Sequence, residues 1–171
     1  MGWRRAECIR DLFQKNDTLT PKTIYAQKAS KKNDDTIPDS RRQIETVAPL
    51  ARALNYVIDN RFTSFEVDAL CQDINGLDES QFPVLVSWNH DDIKNFLINF
   101  GMMYQIAPTY PSKRYDLIFM IEQDKNGEVV FSSQSQNCEG LGDYRFVNAA
   151  SSISISRTLI IASVLLVLFF L

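Results

Sequence analysis

The chain has 171 residues, 23% of them charged and 45% apolar, with a net charge of −3. That is enough for one domain with a substantial core. The acidic balance and the lack of any basic stripe or helix exclude a nucleic-acid binder, and three widely spaced cysteines (Cys8, Cys71, Cys138) without a CxxC exclude a zinc site.

In chain order, residues 2–14 read as an amphipathic helix with Trp3, Ala6, Ile9 and Phe13 on one side. Basic residues open the chain, but no apolar run follows them, so this segment is not a signal peptide. Gly2 lacks the Ser or Thr four residues on that a myristoylation motif needs, because Ala6 stands there. Asn16-Asp17-Thr18 is an N-glycosylation sequon. Thr23-Ile24-Tyr25-Ala26 is a short strand, and residues 27–40 are a polar loop. Arg41 to Leu54 is a helix with a stripe of Ile44, Val47, Ala48, Ala51 and Leu54. Pro49 should kink or break it, since proline lacks the helical N–H. Val57-Ile58 reads as a brief strand and Phe65 to Ile74 as a third helix.

Phe82 to Gly101 is the most informative stretch. A β-branched apolar run gives way to a polar cluster. A helical pattern follows, with Ile93, Phe96, Leu97 and Phe100 in phase. Asp91 and Asp92 suit the positive end of that helix, and Gly101 suits its stop. His90, the one histidine of the chain, therefore sits where a buried strand turns into a helix. In open α/β sheets that edge is where ligands bind. Tyr115 to Glu122 is a strand apolar on both faces, Asp124-Lys125-Asn126-Gly127 a hairpin turn, and Val129 to Ser133 the returning antiparallel strand. The alternation of helices and strands predicts an α/β class with a mostly parallel sheet.

Leu159 to Leu171 is an apolar run of about 13 residues, short of the roughly 20 that span a bilayer as a helix. A polar spacer, Ser151 to Thr158, precedes it, and the small triplet Asn148-Ala149-Ala150 precedes the spacer. This is the grammar of a GPI-attachment signal with Asn148 as acceptor; the alternative is a tail-anchored helix that recruits Ile153 and Ile155. The expected organisation is a domain over 1–142, a linker over 143–158 and a hydrophobic tail over 159–171.

Six segments in order resemble the histidine phosphatase superfamily, the phosphoglycerate-mutase-like fold, and most closely its secreted fungal branch. They are Gly2 to Phe13, Thr23 to Gln27, Arg42 to Ala51, Val84 to Gly101, Tyr115 to Ile118 and Gln136 to Leu141. The resemblance implies a three-layer α/β sandwich and hydrolysis of a phosphomonoester through a phosphohistidine, with no cofactor or metal. Carried over by position, Arg42 matches an arginine that holds the phosphoryl group, and His90 matches the second catalytic histidine, also phosphate-binding. The family's attacking histidine, in an Arg-His-Gly motif on the first strand, has no counterpart here. The expectation is a chain truncated at its N-terminus or degenerate, lacking a central strand, without turnover. Its partners would be phosphate or a phosphomonoester and, through the tail, a membrane. It would lie at the cell surface through a GPI anchor if secreted, or inside the cell if tail-anchored. The alternative is a non-catalytic anchored scaffold. Glu66, Asp68 and Asp73 are candidate leaving-group acids, and nothing in the sequence selects one of them. Asp91 and Asp92 read as helix N-terminal charges.

Overall fold

In the computed structural model, residues 2–29, 41–123, 128–142 and 166–169 are described. The chain is mixed α/β. Its elements are α1 (Gly2–Gln14), β1 (Thr23–Ala26), α2 (Arg42–Leu54), α3 (Val67–Asn75), β2 (Val84–Ser87), α4 (Ile93–Asn99), β3 (Leu117–Gln123), β4 (Val129–Ser135) and β5 (Leu166–Phe169). One-turn 3₁₀ helices lie at Glu79–Gln81 and His90–Asp92.

The strand order is β1-β2-β5-β3-β4. β1 and β2 run parallel with Thr23 opposite Val84 and Ala26 opposite Ser87. β5 runs parallel to β2 and antiparallel to β3, and β3 and β4 are antiparallel neighbours with Leu117 opposite Ser135. The sheet is therefore mixed rather than mostly parallel. The short link between β3 and β4 permits only an antiparallel return, and β3 meets β5 in the same sense.

The period of two along each strand separates two cores. Ile24, Ala26, Leu85, Ile118 and Met120 pack with Ile9 and Phe13 of α1 and Val47, Leu50 and Ala51 of α2. Tyr25, Val84, Val86, Phe119 and Ile121 pack with Val67, Leu70, Cys71 and Ile74 of α3 and Ile93, Phe96 and Leu97 of α4. All four residues of β2 are buried, as expected for a strand covered on both faces. Each fully buried aliphatic or phenyl side chain contributes about 1.5–3 kcal/mol relative to exposure.

Four expectations are corrected. Trp3 is 60% exposed, and Arg5 is buried in α1 instead; the guanidinium meets Gln136 Oε1 and the Gly142 carbonyl, both at 2.9 Å, so its buried donors are satisfied. Trp3 keeps a contact at the rim, with the Arg52 guanidinium 5.7 Å from its ring centre. α2 runs without interruption through Pro49. Burial of Val47, Leu50 and Ala51 around it offsets the one hydrogen bond that proline removes. Val57-Ile58 forms no strand: Val57 is 91% exposed, and pairing there is reduced to a single bridge between Asp59 and Tyr25. α3 begins two residues later than expected, leaving Phe65 97% exposed, because Glu66 accepts hydrogen bonds from the backbone and hydroxyl of Thr63 and holds the approach as a turn.

The Asp124 to Gly127 turn, residues 30–40 of the polar loop, the linker and Asn148 lie outside the described residues. Of the tail, Leu166–Phe169 form β5. Among the described residues no helix is long and apolar enough to cross a membrane.

Candidate functional site

The carboxyl ends of β1 and β2 meet at one edge of the sheet, and backbone bonding continues past the strands. Gln27 N–H donates to the Ser87 carbonyl at 2.9 Å, and the Gln27 side chain, 7% exposed, returns the contact by accepting from Asn89 N–H at 3.0 Å. The buried Ser87 hydroxyl donates to the Gln43 carbonyl in the first turn of α2 at 2.8 Å. The first two bonds hold the ends of β1 and β2 together, and the third brings the start of α2 to the end of β2. Arg42, the first residue of α2, and His90, the first residue of the 3₁₀ turn after β2, consequently stand at the same sheet edge. Arg42 is exposed, and its carbonyl accepts from the Thr46 hydroxyl at 2.7 Å, tightening that first turn.

The His90 side chain is about one-third exposed, with Nε2 3.2 Å from Asp91 Oδ1. Its ring centre is 6.3 Å from that of Tyr110. Asp91 points to solvent, whereas Asp92 is half-buried. Burial holds the Asp92 carboxyl above the usual carboxylate range, and the neighbouring Asp91 charge adds to this. The indole N–H of Trp88, His90 and Asn89 pull the other way. Neither Trp88 Nε1 nor Asp92 Oδ2 has a partner at hydrogen-bonding geometry, so the upward push prevails.

A second polar cluster lies at this edge, built on the local pair Arg114 and Asp116. β3 runs against β5, so its start lies beside the ends of β2 and β5, and the end of β4 lies beside it. There Asp116 is fully buried. Arg114 grips both of its carboxylate oxygens, and the Ser135 hydroxyl donates to one of them. Tyr110 is buried under His90, and its oxygen accepts from Leu117 N–H at 3.1 Å. Burial pushes the Tyr110 phenol up out of its ordinary range, so it stays neutral. The buried Arg5–Gln136 contact closes the cluster from α1. A fork of two guanidinium N–H groups on a buried carboxylate is a strong, orienting pair; Arg114 and Asp116 are only two residues apart, but Ser135 and the Arg5–Gln136 contact reach them from distant segments.

The three candidate leaving-group acids are otherwise engaged, all on or beside α3. Asp73 accepts from the Tyr25 hydroxyl at 2.7 Å and from Arg61 at 3.0 Å. Glu66 is held by Thr63, and Asp68 accepts from the Asn99 amide at 3.0 Å. Their hydrogen bonds tie α3 to β1, to its own leading turn and to α4. None of these contacts brings an acid to His90.

No protein-family model, curated protein or solved structure matches this chain.

Proposed function

We propose that the chain is a histidine-phosphatase-like domain that holds a phosphate or phosphomonoester between Arg42 and His90 without turning it over. The observation that carries the reading is the convergence of β1, β2 and the start of α2. Three hydrogen bonds there put these two residues at one sheet edge. An arginine fork and a histidine ring N–H are suited to phosphoryl oxygens, which carry charge on more than one atom. Arg42 is exposed and His90 about one-third exposed, which leaves both side chains within reach of a ligand.

The finer fold belongs to the same reading: a three-layer sandwich of the phosphoglycerate-mutase-like kind. Two observations support it. The two cores lie on opposite faces of the sheet, one under α1 and α2 and the other under α3 and α4. β5 occupies the place between β2 and β3, which this fold would give to the strand bearing the attacking histidine. His90 being the sole histidine, the chain lacks a second imidazole to attack phosphorus, and the domain is a binder rather than a phosphohydrolase.

Thermal melting of the full chain in inorganic phosphate and in orthovanadate tests this. A ligand that binds only the folded state raises Tm with concentration. The shift should vanish in Arg42→Ala and in His90→Ala, and hydrolysis of p-nitrophenyl phosphate should stay at background. Absence of any shift in the parent chain, or hydrolysis abolished by His90→Ala, would each overturn the reading.

A further inference from the structure

Two features of the α1 region play no part in the His90 edge. The first is covalent. Cys8 on α1 and Cys138 just after β4 are joined as a disulfide across a sequence separation of 130, with Cα atoms 5.8 Å apart. The third cysteine, Cys71, is buried in α3, and burial pushes its thiol up to about 12. It is therefore neither accessible nor ionised enough to exchange with the bridge, and the pairing is unambiguous.

The second is the sequon turn after α1. Asn16, Asp17 and Thr18 are all exposed. The backbone N–H and the hydroxyl of Thr18 both donate to Asn16 Oδ1, at 3.2 and 2.7 Å, closing an Asx turn. The Thr20 hydroxyl then donates to the Phe13 carbonyl at 2.7 Å and pins this turn to the end of α1. With Oδ1 engaged by Thr18, the acceptor amide is presented on a defined outward turn. Asn16 and Cys8 also line one open groove of about 650 Å³, shared with Trp3, Asp11, Gln136 and Leu141. The groove leaves room beside the amide for an attached sugar.

We propose that the chain matures in an oxidising secretory compartment, where Cys8 and Cys138 are joined and Asn16 receives an N-linked glycan. Structural disulfides persist in such compartments and are rare where thiols are kept reduced, and the same compartment carries out Asn-X-Thr glycosylation. In the first step two thiols lose two protons and two electrons to a disulfide-bearing oxidant, which is reduced to a dithiol. In the second, Asn16 Nδ2 loses one proton as it bonds to the anomeric carbon of a lipid-diphosphate-linked oligosaccharide. The bond from that carbon to the diphosphate breaks, and the lipid diphosphate leaves. The inference is independent of phosphate binding at Arg42 and His90.

The test is peptide mapping of the full chain isolated from the cells that make it. Thiols are alkylated before digestion, and glycans are released by an amidase in heavy-oxygen water. The expected result is a Cys8–Cys138 cross-linked peptide, alkylation of Cys71 only after denaturation, and Asn16 recovered as heavy-oxygen-labelled aspartate. In a secretory host, the chain behind a cleavable leader should show an endoglycosidase-sensitive mass shift that Asn16→Gln removes. That variant changes only an exposed turn, so its folding is checked by an unchanged melting curve. Unmodified Asn16 would overturn the glycan site. Alkylated Cys8 and Cys138 in the protein isolated without reductant would overturn the oxidising compartment.

Discussion

Replacing both bridge cysteines, Cys8→Ser with Cys138→Ser, should lower the free energy of unfolding severely. A disulfide removes conformational freedom from the unfolded chain, and the loss grows with the logarithm of the loop it closes. For a separation of 130 residues the chain-entropy relation gives about 5 kcal/mol at room temperature, at the upper end of the usual range of about 2–5 kcal/mol for native bridges. Domain stabilities are only about 5–15 kcal/mol, so the variant should stand near the limit of folding. At roughly 2–4 °C per kcal/mol for a chain of this size, Tm should fall by about 10–20 °C. The native geometry of α1 should persist, because Ile9 and Phe13 remain in the core and Arg5 still bonds Gln136. The assay is urea unfolding followed by circular dichroism, on parent and variant, with and without reductant. The variant should also show a steeper dependence on urea, since its unfolded state is freer to expand. Reductant should bring the parent close to the variant and leave the variant unchanged. A difference below about 1 kcal/mol would refute the argument that this bridge acts on the unfolded chain.

Two further outcomes follow from the sheet and its edge. Asp92→Asn should stabilise the chain at pH 7. The Asp92 pKa is raised in the folded state, so its contribution is present below the unfolded value of about 3.9 and lost as pH rises through the folded value. The gain of the variant should therefore shrink as pH falls through that window, and unfolding curves at pH 7 and pH 4 that show the same difference would count against this. Val167→Pro removes a ladder N–H from a strand paired on both sides, opposite Leu85 and Met120. It should cost about 1–3 kcal/mol for an unmet backbone partner, and hydrogen exchange should accelerate in β2 and β3 together. Unchanged protection there would show that β5 does not hold the two halves of the sheet. Flotation of the parent chain with phosphatidylcholine vesicles adds a second readout, because membrane insertion and β5 draw on the same residues.

What was legible in advance follows the range of the forces. The stripe Ile9 and Phe13, the β2 run, the turn at His90 and the stop at Gly101, whose φ of +101° suits glycine, all depend on neighbours within a turn or two of chain. His90 is readable at an element start for the same reason, whereas Arg42 stands out only through the family resemblance, because the helical pattern alone begins at Arg41. Arg5, by contrast, reads as a surface charge on a helix until Gln136 and Gly142 are brought to it. Asp116 likewise reads as a charge in the first residues of a strand, and only the antiparallel β4 supplies Ser135. Glu66, Asp68 and Asp73 could not be separated by spacing, since what distinguishes them is the partner each meets.

The sequence by itself therefore determined the α/β class, the places of α1, α2 and α4, and the position of one histidine at the end of a buried strand. Periodicity, capping and turn chemistry are local, and local physics is written in spacing. Tertiary structure alone decided that Cys8 pairs with Cys138, that an arginine rather than a tryptophan is buried in α1, and that Leu166–Phe169 lie between β2 and β3. Each of these depends on which distant segment arrives beside it. Loop closure is tolerant of length, so nothing along the chain marks that choice until the cores on the two faces of the sheet have formed.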